Sequence, residues 1–370
     1  MRRILFFVDR LLRGGIQSFL KVVCSNLPKD KFDISILVLD DGKDYSELEK
    51  EFIDVGVKLY KLDGIWLTHF SDYKEYKNKL DNFFSLNQFD IVHINSGPKN
   101  CVVARYAKKH NVKKIIYHSH NTNYQTKNLL KKLYGNYLKF KVKKYCTHYL
   151  ACSYKAAEWL FFKKTLRSSN FEIIHNPISV DDFAFNQNKR NVVRNEFGLG
   201  NDFVIGNIGR FSRQKNQSFL VEVVSELSKI YPNVKLAFVG CGELEQELKK
   251  HTEELHIMEN VVFFGFRKDV ETVINSFDLF VLTSLYEGYP IVSIEAQANG
   301  LPCLMSNTIT EEALLKENSN MLDLKSGPKN WANFILSNYI NKPNKRIPPE
   351  NINEYGCDYI VNQLIEFYDR

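Results

Sequence analysis

The sequence predicts an α/β protein made of two doubly wound domains, each with a parallel sheet covered by helices. The chain has 370 residues, which is more than one hydrophobic core usually organises. Short apolar runs without strict alternation are separated by amphipathic helical patterns, as in parallel strands buried on both faces. This alternation of apolar runs and helical patterns stops near residue 176 and resumes near residue 201. We therefore predict a first domain over 1–176, a linker over 177–200, a second domain over 201–350, and a C-terminal helix over 351–370 that packs back on the first domain.

The strands follow from the apolar runs and the helices from the patterns between them. In the first domain, strands are expected at 4–8, 34–39, 57–60, 91–94, 114–118, 149–153 and 172–174, with helices near 16–26, 45–54, 72–86, 100–109, 127–145 and 154–163. In the second domain, strands are expected at 203–208, 235–239, 261–264, 279–283 and 302–305, with helices near 216–230, 243–255, 269–276, 290–299 and 328–340. Doubly wound sheets bind ligands beyond the carboxyl ends of their strands, so two facing sheets predict a central ligand cleft.

Composition and cysteine usage predict a cytoplasmic protein. Hydrophobic residues make up 44% of the chain and charged residues 25%, which is ordinary for a globular protein. No apolar run is long enough for a transmembrane helix, and Ile4–Val8 is too short for a signal peptide. The seven cysteines contain no C-x-x-C pair and lie mostly in apolar runs, which favours reduced, buried thiols.

The charge is divided unevenly along the chain. Residues 1–170 hold 31 Lys and Arg but only 16 Asp and Glu, and there is no acidic residue between Ile91 and Ala157. A basic first half suggests contact with an anionic surface or ligand. No nucleic-acid-binding motif accompanies this charge, so a nucleic-acid partner is not expected.

The most informative segment is LFVLTSLYEGYPIVSIEAQANG, residues 279–300. A strand ends near Thr283, a turn with Glu287 follows, and a helix is expected to begin near Pro290. The main chain of Gly288–Ile291 would then form an anion site at the start of that helix. Glu295 lies more than a turn further on, where its carboxylate can accept hydrogen bonds from sugar or ribose hydroxyls. Taken alone, two glutamates at this spacing have little specificity, and two solvated carboxylates are the simpler interpretation.

Three further strand ends in the second half carry residues suited to a phosphorylated ligand. GNIGRFSRQKNQSFLVEV, residues 206–223, places Arg210 and Lys215 in a glycine-bearing turn, where both cations can bind phosphate. KLAFVGCGELEQEL, residues 235–248, supplies a G-x-G turn that is weak evidence by itself. VVFFGFRKDV, residues 261–270, ends in a backbone stretch near Phe266 that could contact a base.

Together these segments resemble the retaining glycosyltransferases of family 4 (GT4), which have the GT-B fold of two Rossmann-like domains. The resemblance runs in order through most of 203–305, with EGYPIVSIE as the family's paired glutamates. It implies that Arg210 and Lys215 bind the donor diphosphate and that Glu295 binds the ribose. It also implies that Glu287, with the segment Gly288, Tyr289, Pro290 and Ile291, lies at the donor sugar and phosphates, and that the backbone near Phe266 contacts the base.

The resemblance extends to the first half through the pair Gly14–Gly15, the segment HSHNT at 118–122, and LACSYKAAEWL. Gly15 would let the main chain approach a phosphate or acceptor closely. Family members place a histidine near the donor sugar, and His120 matches that position better than His118. The two lie on one strand face if the strand persists, and His118 has a structural role as its alternative. His120 and Glu287 are the expected catalytic residues.

The resemblance further implies a metal-independent reaction, in keeping with the absence of Asp-x-Asp, so no cofactor or metal is expected. The expected donor is a UDP-sugar, with a GDP-sugar as the alternative. The acceptor is a glycan or lipid-diphosphate-linked sugar in capsule or exopolysaccharide synthesis. The segment 127–145 carries seven lysines among leucines and aromatics, which predicts peripheral binding to the anionic inner face of the cell membrane or, alternatively, a solvated helix over a core. A GT-B nucleotide-sugar epimerase and a non-catalytic partner subunit remain as alternative functions.

Overall fold

A computed structural model of the chain shows two compact units, which are described separately. The first comprises Met1–Pro177 together with Cys357–Arg370, and the second comprises Ile178–Gly356. The structure describes residues 1–11, 14–39, 44–62, 70–124, 128–315, 319–342 and 346–370.

The first unit contains a sheet of seven parallel strands, in the order β3-β2-β1-β4-β5-β6-β7. The strands are β1 (Arg2–Val8), β2 (Phe32–Leu39), β3 (Lys58–Leu62), β4 (Ile91–Asn95), β5 (Lys114–Ser119), β6 (His148–Ala151) and β7 (Phe171–Ile173). Every strand corresponds to a predicted apolar run. In the centre of the sheet Ile4 pairs with Ile34 on one side and with Ile91 on the other, so β1 is buried between two neighbours.

In the part of this unit that the structure describes, seven α-helices accompany these strands: α1 (Gly15–Asn26), α2 (Ser46–Asp54), α3 (Phe70–Leu86), α4 (Cys101–Lys109), α5 (Leu129–Tyr145), α6 (Tyr154–Leu160) and α7 (Lys163–Leu166). The predicted helix over 154–163 is thus shorter than expected and is followed by a separate turn of helix. The core of this unit includes Phe6, Phe19, Phe32 and Phe52, all buried. Alternating strands and crossover helices account for the parallel arrangement.

The second unit contains six parallel strands in the order β10-β9-β8-β11-β12-β13. They are β8 (Phe203–Ile208), β9 (Val234–Val239), β10 (Val261–Gly265), β11 (Leu279–Leu282), β12 (Cys303–Ser306) and β13 (Asn320–Leu322). The sequence predicted five of them. Strand β13 was missed because it has only three residues, none of them fully buried. A segment this short shows no run of apolar residues that would predict a strand.

The predicted linker over 177–200 is wrong, because most of it is helical and belongs to the second unit. It forms α8 (Val180–Phe183) and α9 (Gln187–Glu196). The side chain of Asn186 caps α9, and Arg190 and Arg194 each donate to the carboxylate of Asp278 at 2.7 Å. Helix α9 is polar around most of its surface and is held by ion pairs, so hydrophobic periodicity gave no signal for it.

The remaining helices of the second unit are α10 (Gln217–Ser228), α11 (Glu245–Glu254), α12 (Val270–Val273), α13 (Ile291–Ala298) and α14 (Pro328–Ile335). A turn of π-helix, Leu336–Ile340, continues α14. The core here is built around the buried side chains of Phe211, Phe238, Phe277 and Trp331.

The chain ends in α15 (Cys357–Asp369), which lies in the first unit. Its buried residues Ile360, Leu364 and Phe367 join the core of that unit. Lys114 at the start of β5 donates to the carbonyl oxygen of Tyr368 at 2.8 Å. The last helix therefore completes the first unit, although the chain has already passed through the second.

Candidate active site

The four segments singled out in the second half of the sequence follow four neighbouring strands. Phe266 follows β10, Gly240 follows β9, Lys215 follows β8 and Glu287 follows β11. Because all four strands are parallel, their carboxyl ends lie along one edge of the sheet. With strands about 4.8 Å apart, this edge spans roughly 14 Å from β10 to β11. That length suits an extended ligand such as a nucleoside diphosphate sugar.

Lys215 and Glu287 form a largely buried ion pair at the β11 end of this edge. Lys215 Nζ lies 2.7 Å from Glu287 Oε1, and Ser284 Oγ donates to the same oxygen at 2.7 Å. Glu287 is only 7% exposed, so the pair lies largely out of water. The carboxylate thereby fixes the direction of the lysine side chain, and Ser284 fixes the carboxylate.

Hydrogen bonds between the two turns bring these residues together. Leu285 N donates to the carbonyl oxygen of Gln214 at 2.8 Å, and Gln214 Nε2 donates to that of Tyr286 at 3.0 Å. Asn216, in the left-handed region at φ 55°, donates from Nδ2 to the carbonyl oxygen of Thr283 at 3.1 Å. Asparagine tolerates this conformation better than most residues. The turn after β8 is therefore held directly against the turn after β11.

The G-x-G turn after β9 allows close approach of two loops. A Cβ at Gly240 would lie 2.2 Å from the carbonyl oxygen of Gly209, and one at Gly242 would lie 2.3 Å from that of Phe211. Gly240 also has φ 136°, a conformation that side chains disfavour. Both glycines are thus required for the turn after β9 to pack on the turn that carries Arg210.

Arg210 lies at the same edge but points into solvent. Its side chain is 71% exposed, and Nε donates to Glu243 Oε2 at 2.9 Å. An exposed pair of this kind contributes little stability and exchanges readily. Arg210 can therefore move to an anionic ligand, whereas Lys215 is held in place.

The segment after Glu287 forms the start of α13. The helix begins at Ile291 and Pro290 is its N-cap, one residue earlier than the predicted role of Pro290 as the first helical residue. The side chain of Tyr289 is buried and stacks on Tyr355, with their ring planes 7° apart. The side chain of Tyr289 therefore packs within the second unit.

Glu295 lies on α13, half-buried. Burial, with a smaller contribution from the charge of Glu271, raises the pKa of its carboxyl to about 7. Among the described residues no side chain hydrogen-bonds to this carboxylate. A donor from a ligand, such as a ribose hydroxyl, would favour its charged form. Phe266, at the β10 end of the edge, is 53% exposed.

The first unit holds the other predicted site residues, Gly15 and His120. Gly15 is the first residue of α1 and is exposed. One turn later, Phe19 lies with its ring centroid 5.5 Å from that of His120 and 5.0 Å from that of His118. Gly15 thus begins the helix whose Phe19 contacts His120, and the two residues follow the carboxyl ends of β1 and β5.

The structure separates the two histidines that the sequence left as alternatives. His118 is fully buried within the sheet, and its Nδ1 lies 3.1 Å from Nε2 of His93. His120 follows the last residue of β5 and is half-buried. Burial lowers the pKa of His120 to about 3, so its imidazole is neutral. Of the two side chains, only that of His120 has surface available to a ligand.

Within the described ranges, no group of three or more His, Cys, Asp or Glu side chains is arranged to hold a metal ion. None of the helices described combines the length and the apolar character needed to cross a bilayer.

Two family models match the chain in succession. The model of Glycosyltransferase Family 4 matches residues 13–182, and that of Glycosyl transferases group 1 matches residues 189–352. The matches cover both units and include all the predicted site residues. The chain is a family 4 glycosyltransferase. The resemblance noted in the sequence is therefore confirmed, as is the assignment to an enzyme class.

Relatives of this glycosyltransferase act in bacterial surface polysaccharide synthesis. The UDP-Gal:alpha-D-GlcNAc-diphosphoundecaprenol alpha-1,3-galactosyltransferase of Escherichia coli is 26% identical over 82% of this chain and 79% of its own length. The O-antigen biosynthesis glycosyltransferase WclY of Escherichia coli is 26% identical over 77% of this chain and 76% of its own. These names describe the activities of the two relatives themselves.

Solved structures confirm the GT-B fold. Anabaena HepE in complex with UDP superimposes with a TM-score of 0.82 at 17% identity, over the whole of both chains. HepE in complex with UDP-glucose gives 0.80 at 19% identity, also over the whole of both chains. At this level of identity the likeness establishes the fold of the glycosyltransferase.

Sequence reasoning missed three residues that organise these sites. Ser284 and Gln214 hold Glu287 and the two turns, and Asn95 contacts His120. All three follow or end strands, and the carboxyl ends of the strands are where a doubly wound sheet binds its ligands, so their positions could have pointed to them. Their neutral side chains gave no reason to prefer them over other polar residues in strand-end turns.

Proposed function

We propose that this enzyme transfers a sugar from a UDP-sugar to a hydroxyl of a lipid-diphosphate-linked glycan, with retention of anomeric configuration and without a metal ion. The observation that carries the proposal is the largely buried pair of Lys215 and Glu287, held by the turns after β8 and β11 at a sheet edge that also presents Arg210 and Phe266, with Glu295 on the following helix α13. We assign the base to the β10 end, the ribose to Glu295 and the diphosphate to Lys215.

Breaking the bond between sugar and phosphate places negative charge on the departing diphosphate. Lys215 is held at the strand ends in a site largely closed to water, where its charge acts more strongly than in solution. Arg210 adds a second cation once it leaves Glu243, and the amides that begin α13 add partial positive charge. These three elements stabilise the leaving group, a task that a metal ion performs in other enzymes.

The choice of UDP and of a lipid-linked acceptor rests on similarity. Similar structures of HepE contain UDP or UDP-glucose, and a relative carries UDP-galactose and diphosphoundecaprenol in its name. A lipid-diphosphate acceptor brings anionic charge to the enzyme, which agrees with a first half rich in lysine and arginine.

Helix α5 supports peripheral attachment to the inner face of the membrane. It presents an exposed apolar surface, the α5 apolar face, which consists of Leu129, Leu130, Leu133, Tyr134, Tyr137 and Phe140. Each of these side chains is at least 51% exposed. At 100° per residue they cover an arc of roughly 140°. A contiguous apolar patch of this kind usually marks an interaction surface.

The opposite face of α5 is packed against the first unit. Gly135, Leu138 and Val142 are buried, and a Cβ at Gly135 would lie only 2.4 Å from the ring of Tyr124. The helix therefore has one apolar face toward the protein and another toward solvent. A solvated helix over a core would have polar residues on its outer face, so the exposed leucines and aromatics favour the membrane interpretation.

Lysines on the same helix as the α5 apolar face provide the electrostatic part of the attachment. Lys131, Lys143 and Lys144 are exposed and Lys132 is half-buried, and each basic residue near an anionic surface contributes about 1 kcal/mol. Lys139 differs from them. Its Nζ lies 4.9 Å from the ring centroid of Trp159 and 5.1 Å from that of Tyr124, so it packs within the protein.

The proposed reaction is tested by incubating the purified enzyme with UDP-hexoses and an undecaprenyl-diphosphate sugar. A thermal melting screen against UDP- and GDP-sugars first identifies the donor, since a ligand of the folded state raises the melting temperature. The product should then carry one further sugar with the anomeric configuration of the donor. An inverted linkage, or interconversion of the donor sugar without transfer, would contradict the proposal.

Kinetics of two variants test the division of roles between the carboxylates. Glu295→Gln should mainly raise KM for the donor, because the ribose is bound equally in ground and transition states. Glu287→Gln should mainly lower kcat, because Glu287 orients Lys215 at the breaking bond. The same kinetic defect in both variants would contradict this assignment.

A further inference from the structure

Three imidazoles form a buried cluster under the carboxyl ends of β4 and β5. The ring centroids of His93 and His118 are 5.3 Å apart, and those of His118 and His120 are 4.0 Å apart. His93 Nδ1 also lies 2.8 Å from the hydroxyl of Tyr368 on α15. Only His120, at the end of this row, is half-buried rather than fully buried.

Asn95, the last residue of β4, contacts His120 directly. Its Oδ1 lies 2.9 Å from His120 Nε2, and its Nδ2 donates to the carbonyl oxygen of His93 at 3.4 Å. The carbonyl of His93 can only accept, so the amide nitrogen of Asn95 faces it and the amide oxygen faces His120. Asn95 is 1% exposed, which leaves the amide little freedom to turn.

This orientation determines which nitrogen of His120 carries the proton. The amide oxygen of Asn95 has no proton to give, so His120 Nε2 must be the donor. In a neutral imidazole the other nitrogen, Nδ1, is then an acceptor. Nδ1 is buried and has no hydrogen-bond partner among the described residues. A buried acceptor without a partner is unfavourable, and a hydrogen-bond donor on a bound ligand would satisfy it.

We propose that Asn95 is a positioning residue that holds His120 as its Nε2–H tautomer, so that Nδ1 accepts a hydrogen bond from a hydroxyl or amide N–H of the donor sugar. The proposal rests on the proposed function and on the predicted placement of His120 at the donor sugar. It specifies that His120 acts as an acceptor toward the sugar and that Asn95 acts through His120 alone.

The neutral state of His120 agrees with this role. Burial lowers its pKa to about 3, and the titratable groups beside it, His118 and His93, have pKa values lowered well below the usual range by burial. The neighbour from α1 is Phe19, which carries no charge. In the wild-type enzyme Nδ1 therefore stays unprotonated, and available to accept, throughout the pH range of an assay.

A charge-changing variant of Asn95 tests the proposal through pH. In Asn95→Asp the carboxylate still accepts from Nε2–H but also favours the imidazolium, which raises the pKa of His120. Protonated Nδ1 then donates instead of accepting. We expect donor kcat/KM to fall at least 10-fold at pH 6 and to recover as the pH rises above the new pKa. A loss that is equal at all pH values would indicate a merely structural role and overturn the proposal.

A double-mutant cycle tests whether Asn95 acts through His120. Asn95→Ala should lower kcat/KM about 3- to 10-fold in the wild-type background, the range for one neutral hydrogen bond, and should have no further effect in His120→Ala. Additive losses would overturn the proposal. Melting temperatures of all four proteins identify any variant that has lost its fold.

Nitrogen-15 NMR of histidine-labelled enzyme reads the tautomer without any activity measurement. We expect the Nε2–H pattern for His120 in the wild type and a mixture of tautomers in Asn95→Ala. An Nδ1–H pattern in the wild type would overturn the proposal. If the tautomer is Nε2–H but His120→Ala transfers sugar normally, the placement of His120 at the donor is what fails, and the sugar contact of Nδ1 fails with it.

Discussion

Lys215 Nζ lies 2.7 Å from Glu287 Oε1, across two turns that follow neighbouring strands β8 and β11. The two residues are 72 positions apart in sequence, and the packing of the turns is what joins them. The carboxylate keeps the ammonium group in place before any donor binds. A diphosphate arriving at this edge therefore meets a cation whose position is already fixed, so little binding energy is spent on ordering it.

Removing the lysine should affect both stability and donor binding. Lys215→Ala leaves the buried Glu287 carboxylate without its cation, and we expect a loss of about 2–4 kcal/mol in the free energy of unfolding. Lys215→Ala/Glu287→Gln should recover most of that stability but not the affinity for UDP. Denaturant unfolding and calorimetry measure the two quantities separately. Lys250→Ala, which breaks the exposed pair of Lys250 with Glu254, is the matched control. Recovery of UDP affinity in the double variant would contradict the role of Lys215.

Arg210 should contribute to binding without contributing to stability. Its pair with Glu243 is exposed on both sides, so Arg210→Ala should leave the melting temperature unchanged. UDP affinity should fall by about 1.5–3 kcal/mol, the range for hydrogen bonds to charged groups. Glu243→Ala releases the arginine from its competitor and should leave affinity the same or raise it a few-fold. Weaker binding in Glu243→Ala would show that the ion pair belongs to the bound state instead.

Glu295 should make donor binding depend on pH. Burial raises the pKa of its carboxyl to about 7 in the ligand-free protein, and ribose hydroxyls would favour the charged form. Binding of UDP should therefore release a proton near pH 7 and weaken as the pH falls toward 6. Calorimetry in two buffers with different ionisation enthalpies counts that proton. In Glu295→Gln the proton release should vanish. Proton release that persists in this variant would have to come from another group.

The same pKa predicts how Glu295 affects folding. A carboxyl whose pKa is raised on folding binds more protons in the folded state, so stability falls as the pH rises from about 4.5 to about 7. Glu295→Gln, which resembles the protonated form, should match the wild type near pH 5 and melt at a higher temperature at pH 8. Equal melting temperatures at pH 8 would show that the carboxylate is well solvated in the folded protein.

The sequence predicted the strands well because apolar runs of this length have few alternatives in a parallel sheet. It predicted Lys215 and Glu287 as separate site residues, but their ion pair depends on tertiary contacts from Gln214 and Asn216 that no local pattern reveals. Helix α9 was missed for a related reason, since Arg190 and Arg194 hold it through Asp278 rather than through an apolar face. The tautomer of His120 could not be predicted, because it depends on a strand neighbour 25 residues away.

The reaction should proceed without a divalent metal. The proposed cations Lys215 and Arg210 occupy the position along the sheet edge where the diphosphate is expected, and the sequence lacks Asp-x-Asp. Transfer measured in excess EDTA should equal transfer in its absence. Loss of activity in EDTA with recovery on addition of Mn²⁺ would contradict the proposal. Addition of Zn²⁺ in place of Mn²⁺ distinguishes a specific requirement from general salt effects.

Helix α5 should attach the enzyme to anionic membranes through both its lysines and its apolar face. Changing Lys131, Lys132, Lys143 and Lys144 to glutamine removes four charges beside that face. Lys139 is left intact because it packs against Trp159 and Tyr124, and its loss would disturb the fold. Binding to vesicles containing phosphatidylglycerol should fall sharply in this variant, and wild-type binding should weaken as salt rises, since screening shortens the electrostatic range to about 8 Å at physiological ionic strength.

A control variant separates the position of the charges from their number. Changing Lys229, Lys250, Lys325 and Lys329 to glutamine removes four exposed lysines from the second unit and gives the same net charge. A third variant, Leu130→Ser/Leu133→Ser, keeps every charge but reduces the exposed apolar surface. We expect co-sedimentation with anionic vesicles to be retained in the control and reduced in the other two, with melting temperatures close to the wild type, because none of the changed side chains of α5 is fully buried. If the α5 lysine variant and the control bind equally well at low salt, net charge rather than this helix determines the attachment, and the membrane contact must lie elsewhere.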